Sequence, residues 1–282
     1  MRGSSGARFI DSSPVMITKQ DTAVTGRRVR DQGIWLQQLN ESSVLPVVFA
    51  VHQNRYDMER LDVGTIPTTW EQTFELCSDI IVELETHLWY KNFKGRVPHL
   101  MEFDRGEHNG YIIDLLTDVG LRSYRRKLHQ FVGNVDWFGY KTPRVARTHG
   151  DCIIDNVAWR RTESELNKLV LLDPIPATPA LPDLACVDVG RVIQSAAGYE
   201  VTRYFEDTRP LLGIPLDQRV DDVLNGWLTD EFCLNEVRAS LHFSIIHMLR
   251  GLRTAQRVAP KSCKALELLV DQLVEVTETW MQ

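Results

Sequence analysis

No run of eighteen apolar residues occurs anywhere in this 282-residue chain, and no apolar core follows the N-terminal methionine. A membrane-spanning helix and a secretory signal are therefore not expected, and a soluble, cytoplasmic protein with no membrane partner is. Cys-x-x-Cys spacing is missing as well. The five cysteines, an odd number, are scattered, which suits reduced thiols better than a disulfide scaffold or a zinc site. The eight histidines form neither His-x3-His nor His-Glu-x-x-His, so a histidine-based metal centre has no support. Positive charge is in short supply too. A formal charge of −6 and a pI near 5.8 argue against a general nucleic-acid binder. No internal repeat, heptad run or low-complexity tail is visible. What remains is ordinary for a globular protein: 43% hydrophobic and 25% charged residues, in a chain long enough for one large domain or two modest ones.

The chain is organised around Arg147-Thr-His-Gly-Asp-Cys-Ile-Ile-Asp-Asn-Val-Ala-Trp159 and Leu169-Val-Leu-Leu-Asp-Pro174. Apolar, β-prone runs border polar loops in both, predicting two short strands with Asp151, Asn156 and Asp173 on adjacent loops. Taken singly, each fragment is ordinary turn chemistry, since Asp and Asn bond nearby backbone and tolerate unusual dihedrals. Taken together, they supply a carboxylate to accept a nucleophile's proton and two oxygen groups to hold Mg²⁺ on nucleotide phosphates.

His-Gly-Asp-x4-Asn, followed by an apolar strand closing on Asp, resembles the kinase-like small-molecule phosphotransferases, a family that includes aminoglycoside phosphotransferases, choline kinases and sugar-directed relatives. The resemblance implies an α+β, two-lobed protein-kinase-like fold. Residues 1–61 would form a β-rich amino lobe with one helix, and residues 62–282 a mainly helical lobe carrying the catalytic hairpin, with nucleotide between them. It implies ATP and Mg²⁺ as cofactors and a small hydroxyl compound as acceptor. Asp151 would be the catalytic base and His149 a bracing member of the same loop. Asn156 and Asp173 would be the metal ligands. Val187-Asp-Val-Gly-Arg-Val-Ile-Gln-Ser195 resembles the segment that follows the metal aspartate in sugar-directed members, making Asp188 a buried anchor for the catalytic-loop backbone.

By the same resemblance, Gly3, Ser4, Ser5 and Gly6 would cover the phosphates, although a flexible leader explains them equally well. Phe9-Ile10 and Val15 to Lys19 predict a strand pair, with Lys19 contacting phosphate as a point charge. The helix expected over Arg27 to Asn40 contains no Glu to pair with that lysine; Asp31 and Gln32 are the two substitutes available. Val44 to Val51 and Arg55 to Leu61 predict further strands, the second resembling a hinge at Met58, Glu59 and Leu61 where adenine meets backbone.

Helices are expected elsewhere. Thr68-x-x-Glu71 reads as a capping box, followed by Trp70, Phe74, Cys77, Ile81, Leu84 and Leu88 at alternating spacings of four and three, one buried stripe. A second helix near Leu121 to Phe131 carries Arg122, Arg125, Arg126 and Lys127 on a solvated face. Trp137 and Phe138 are read as core aromatics. Four prolines between Pro174 and Pro182 predict an extended loop, and helices are expected over Leu184 to Tyr199, Arg219 to Leu228, Asp230 to Arg257 and Lys261 to Trp280. The expected activity is phosphoryl transfer to a sugar or amino sugar. A nucleotide-binding pseudokinase and an aminoglycoside-type antibiotic kinase are the alternatives.

Overall fold

The computed structural model describes residues 7–21, 27–89, 101–139, 142–161, 168–205, 213–227 and 234–282. Its backbone divides into two units. One comprises Met1–Gly64 and Asn156–Pro176, the other Thr65–Asp155 and Ala177–Gln282.

In the first unit, strands β1 (Arg8–Ser13) and β2 (Met16–Gln20) form a hairpin, helix α1 spans Arg27–Gln38, and strands β3 (Val48–Val51) and β4 (Arg55–Glu59) follow. The sheet is antiparallel throughout, in the order β1-β2-β4-β3. Alternation along β4 explains its placement, with Tyr56 and Met58 buried and Arg55 exposed, the period-2 pattern of a sheet with one covered face. Helix α1 lies against that face and buries Val29, Trp35 and Leu36. At Gly33 a Cβ would stand 2.9 Å from both Cβ and Cδ1 of Tyr56. The glycine that interrupts the helical pattern is thus the point where α1 meets the sheet.

A second, three-stranded sheet joins β5 (Asp62–Val63), β6 (Val157–Arg160) and β7 (Lys168–Leu171). Arg160 ties this sheet to its neighbours. It donates to both carboxylate oxygens of Glu59 and to the carbonyls of Ser43 (2.8 Å) and Leu45 (2.9 Å). The amide of Leu171 donates to the Val44 carbonyl at 2.8 Å. The β6–β7 hairpin therefore belongs to the first unit, whereas the sequence-based division at Leu61 keeps it with the helices.

The second unit is helical: α2 (Trp70–Leu84), α3 (Arg105–Asp118), α4 (Arg125–Gly133), α5 (Ala185–Ala196), α6 (Tyr199–Phe205), α7 (Leu216–Trp227), α8 (Leu234–Val258) and α9 (Cys263–Met281). Helix α5 is buried on every face and packs along α8. On α2 the stripe Trp70, Cys77, Ile81 and Leu84 is buried as the spacing requires, while Phe74 is half-buried. The cap is Thr69 rather than Thr68, since its side chain accepts the Gln72 amide at 3.4 Å. Helix α3 has no counterpart in the sequence-based expectations. Arg122, Arg125 and Arg126 are exposed, and Lys127 pairs with Glu278 at 2.9 Å, a solvated face. Trp137 is core, stacked on Phe103 with ring centroids 4.1 Å apart, whereas Phe138 is 71% exposed. Among the described residues no helix is long and apolar enough to cross a membrane, and the described cysteines are unbridged.

Candidate active site

The functional residues of the first unit gather around a buried lysine. Lys19 sits on β2 opposite Tyr56 of β4, with no exposed surface. An ammonium group taken out of water needs charge and hydrogen-bond compensation. It finds Asp173 in a short ion pair and Gln32 Oε1 at 3.0 Å, with the rings of Phe9 and Tyr56 centred 5.8 and 6.0 Å away. Asp31 is exposed, so of the two substitutes for the expected glutamate it is Gln32 that meets the lysine. Its own amide nitrogen donates to the Pro174 carbonyl at 2.8 Å. One carboxamide thereby fixes both the lysine and the chain just beyond Asp173.

Asp173 ends the β6–β7 hairpin with φ +57°, the one non-glycine residue with a positive φ among the described residues. A left-handed backbone is disfavoured for a residue bearing a Cβ and concentrates at functional positions. The Leu172 amide donates to the Asn156 carbonyl at 2.7 Å, which sets Asn156 and Asp173 at the same end of the hairpin. A carboxylate and a carboxamide so placed suit Mg²⁺, which takes few protein oxygens and completes its shell with water and phosphate. No cluster of three or more His, Cys, Asp or Glu exists among the described residues to offer a self-sufficient metal cage. Asn156 and Asp173 are the residues that would hold such an ion.

The second unit holds the His149-Gly150-Asp151 loop by its backbone. Asp188 on α5 is fully buried; its Oδ2 accepts the His149 amide (2.9 Å) and the Trp89 indole (3.1 Å), and its Oδ1 accepts the Gly150 amide (2.7 Å). Burial pushes its carboxyl up to about 6, against the pull of those donors. Asp183, which the sequence-based reading passes over, does the same one residue earlier. It accepts the amide and hydroxyl of Thr148 at 3.1 and 3.2 Å, and the Met101 amide at 2.8 Å. Three successive loop amides therefore donate to two buried carboxylates. Gly150 supplies the turn, with φ +72°, a conformation glycine adopts without steric cost. His149 is buried, and its Nδ1 accepts the Asp151 amide at 3.3 Å.

Asp151 itself is met by Arg191 of α5 in a short ion pair. Arg191 also donates to the Gly150 carbonyl at 3.4 Å and is held by Gln194 Oε1 at 2.5 Å. Neither Arg191 nor Gln194 is signalled by the motif, although polar residues buried on every side of α5 must have partners, which is the clue a sequence could have offered. On α6, Glu200 accepts the Ser195 hydroxyl at 2.7 Å, and burial raises its carboxyl to about 7.

At the expected hinge, Met58 is buried in the sheet and the Glu59 side chain is committed to Arg160 and to the Val47 amide. Leu61, just beyond β4, makes no backbone hydrogen bond among the described residues. Gly3, Ser4, Ser5 and Gly6 lie outside the described residues.

No family model and no curated protein matches the chain. Solved structures do. An ethanolamine kinase from Plasmodium vivax superimposes with a TM-score of 0.57 at 10% identity, over 95% of this chain and 80% of that one. Choline kinase from Cryptosporidium parvum gives 0.55 at 8% identity, over 97% and 89%. The gentamicin complex of APH(2″)-IIa gives 0.56 at 12%, again over 97% and 89%. The chain thus has the α+β fold of the kinase-like small-molecule phosphotransferases, a small antiparallel amino-terminal sheet with a larger helical unit.

Proposed function

We propose that this protein is an ATP- and Mg²⁺-dependent phosphotransferase that moves the γ-phosphoryl group to a hydroxyl of a small molecule. The observation that carries the reading is the buried ion pair between Lys19 and Asp173, residues 154 apart in sequence that phosphoryl transfer needs at the same phosphates. In this reading Lys19 supplies a positive charge to the nucleotide phosphates, and Leu61 offers backbone groups to the base. Asn156 and Asp173 hold the metal, which when bound neutralises charge on the phosphate oxygens. Asp151 accepts the acceptor's proton, and His149, Asp183 and Asp188 keep its loop in place. The acceptor we favour is a sugar or amino sugar, on the resemblance of the Asp188 segment to sugar-directed relatives. The absence of a glutamate beside Lys19 favours the second reading, a nucleotide-binding pseudokinase.

An acceptor screen with labelled ATP and Mg²⁺ tests the proposal, using the wild type alongside Asp151→Asn and Asp173→Asn. Label should move to a sugar or amino sugar with wild type. Asp151→Asn should lower kcat by about 10²–10⁴ with nucleotide affinity nearly unchanged, and Asp173→Asn should lose Mg²⁺-dependent nucleotide binding. Nucleotide binding without transfer across a broad panel selects the pseudokinase. Transfer to polycationic aminoglycosides alone, falling steeply with salt, rejects the sugar.

A further inference from the structure

Helices α6, α7 and α9 surround a cavity of about 590 Å³, within the size range of small-molecule sites. Its walls are apolar and polar in about equal measure, with Val201, Leu216, Leu269 and Val276 forming the apolar part. One wall is Arg219, in the first turn of α7, a residue only 4% exposed. A buried cation of this kind ordinarily has a carboxylate beside it. Arg219 has none among the described residues. Its Nη1 donates to the Ala196 carbonyl at the end of α5, at 3.1 Å, and its Nε is sealed from solvent without a partner. Burial lowers its pKa to about 10. Capping α5 explains one nitrogen of the three. The amides of Leu216 and Asp217, which open α7 on the same wall, make no backbone hydrogen bond among the described residues, and a helix start of this kind favours negative charge.

We propose that this cavity binds a small amphipathic anion, a carboxylate or phosphate group held by Arg219 with its apolar body against α9. The two acids lining the cavity, Asp217 and Glu275, are both exposed, so they weaken but do not screen out an anion at the buried guanidinium. The inference is independent of phosphoryl transfer, because the cavity shares no residue with the Asp151 loop or with the Lys19 cluster.

Calorimetric titration and thermal shift with octanoate, octyl phosphate, octylamine and inorganic phosphate provide the test. Octanoate or octyl phosphate should bind saturably and raise Tm, and octylamine should do neither. Arg219→Met, which keeps the apolar stem, should weaken the anion at least tenfold, and Arg219→Lys should recover part of the loss. Gln272→Trp changes an exposed cavity residue and should block binding in a folded protein, which keeps the test decisive if Arg219→Met does not fold. Octyl phosphate bound in preference to octanoate marks the headgroup as phosphate, and the reverse marks it as carboxylate. No saturable binding of either anion, or wild-type affinity in Gln272→Trp, overturns the proposal. Inorganic phosphate binding as tightly as octyl phosphate overturns the apolar half of it.

Discussion

Asp188→Asn keeps the shape of the anchor and removes its charge, and its effect on stability should depend on pH with a definite sign. In the folded protein the carboxyl titrates near 6, against an ordinary value of 3.8, because burial penalises the charged form more than its donors repay it. The unfolded chain therefore ionises first as pH rises, and the wild type loses stability across the interval between the two values. At about 1.4 kcal/mol per pH unit the whole interval is worth roughly 3 kcal/mol. The asparagine variant has no such loss. It has a fixed one instead. With its oxygen in place of Oδ2 it still accepts from His149 and Trp89, but its NH₂ faces the Gly150 amide, donor against donor. An orphaned buried amide costs about 1–3 kcal/mol. By pH 5 about half of the wild type's loss has already occurred, and from pH 5 to pH 7.5 the wild type should lose roughly a further 1 kcal/mol while the variant loses none, so the difference should move in the variant's favour. Urea denaturation of both proteins across that range measures the gap. A difference constant with pH, or one that moves in the wild type's favour as pH rises, refutes the account of a buried carboxylate held against its desolvation.

Gly33→Ala should destabilise the protein by about 1–3 kcal/mol, despite alanine's better helix propensity, because the new methyl group meets Tyr56 at 2.9 Å; a lower Tm, with nucleotide binding weakened through the displaced Gln32, is the expected result. Arg191→Ala removes the cation paired with Asp151 and should lower kcat with nucleotide affinity nearly unchanged, a loss that Arg191→Lys should partly restore, whereas wild-type kcat in the alanine variant would show that turnover does not use the pair. Cys77, Cys152 and Cys186 are buried, with thiols pushed well above their usual range by desolvation, so Ellman's reagent should reach them only after denaturation.

The parts of this protein legible in its sequence are those whose signal is local. Asp151, Asn156 and Asp173 stand at fixed offsets around short apolar strands, and a loop, a hairpin and its closing carboxylate follow from that spacing. The strand pair ending on Lys19 was readable for the same reason. Its partner was not: Asp31 and Gln32 are neighbours in sequence, and only the rotation of α1 against Tyr56 decides that Gln32 faces the lysine. Arg191 and Asp183 carry no motif, because their roles arise from packing: Arg191 sits on α5, buried on all sides, and Asp183 in the segment just before it meets the Thr148 and Met101 amides. The hairpin's grouping with the first unit rests on Arg160 and on a two-residue strand, Asp62–Val63, too short for any periodicity to announce. Thr69 displaced Thr68 as the α2 cap because two adjacent threonines offer the same chemistry and backbone dihedrals choose between them.

The left-handed backbone at Asp173 has a consequence for how this position tolerates replacement. Only glycine, asparagine and aspartate adopt that conformation readily, so most substitutions there meet a backbone penalty before chemistry is consulted. A saturation library scored by abundance would already show position 173 as restricted, with no contribution from catalysis. Asparagine and glycine pass the backbone filter and lack the carboxylate. Comparing those two with aspartate in the same library separates what the turn demands from what the carboxylate's proposed metal-binding role demands, and replacement by alanine confounds the two.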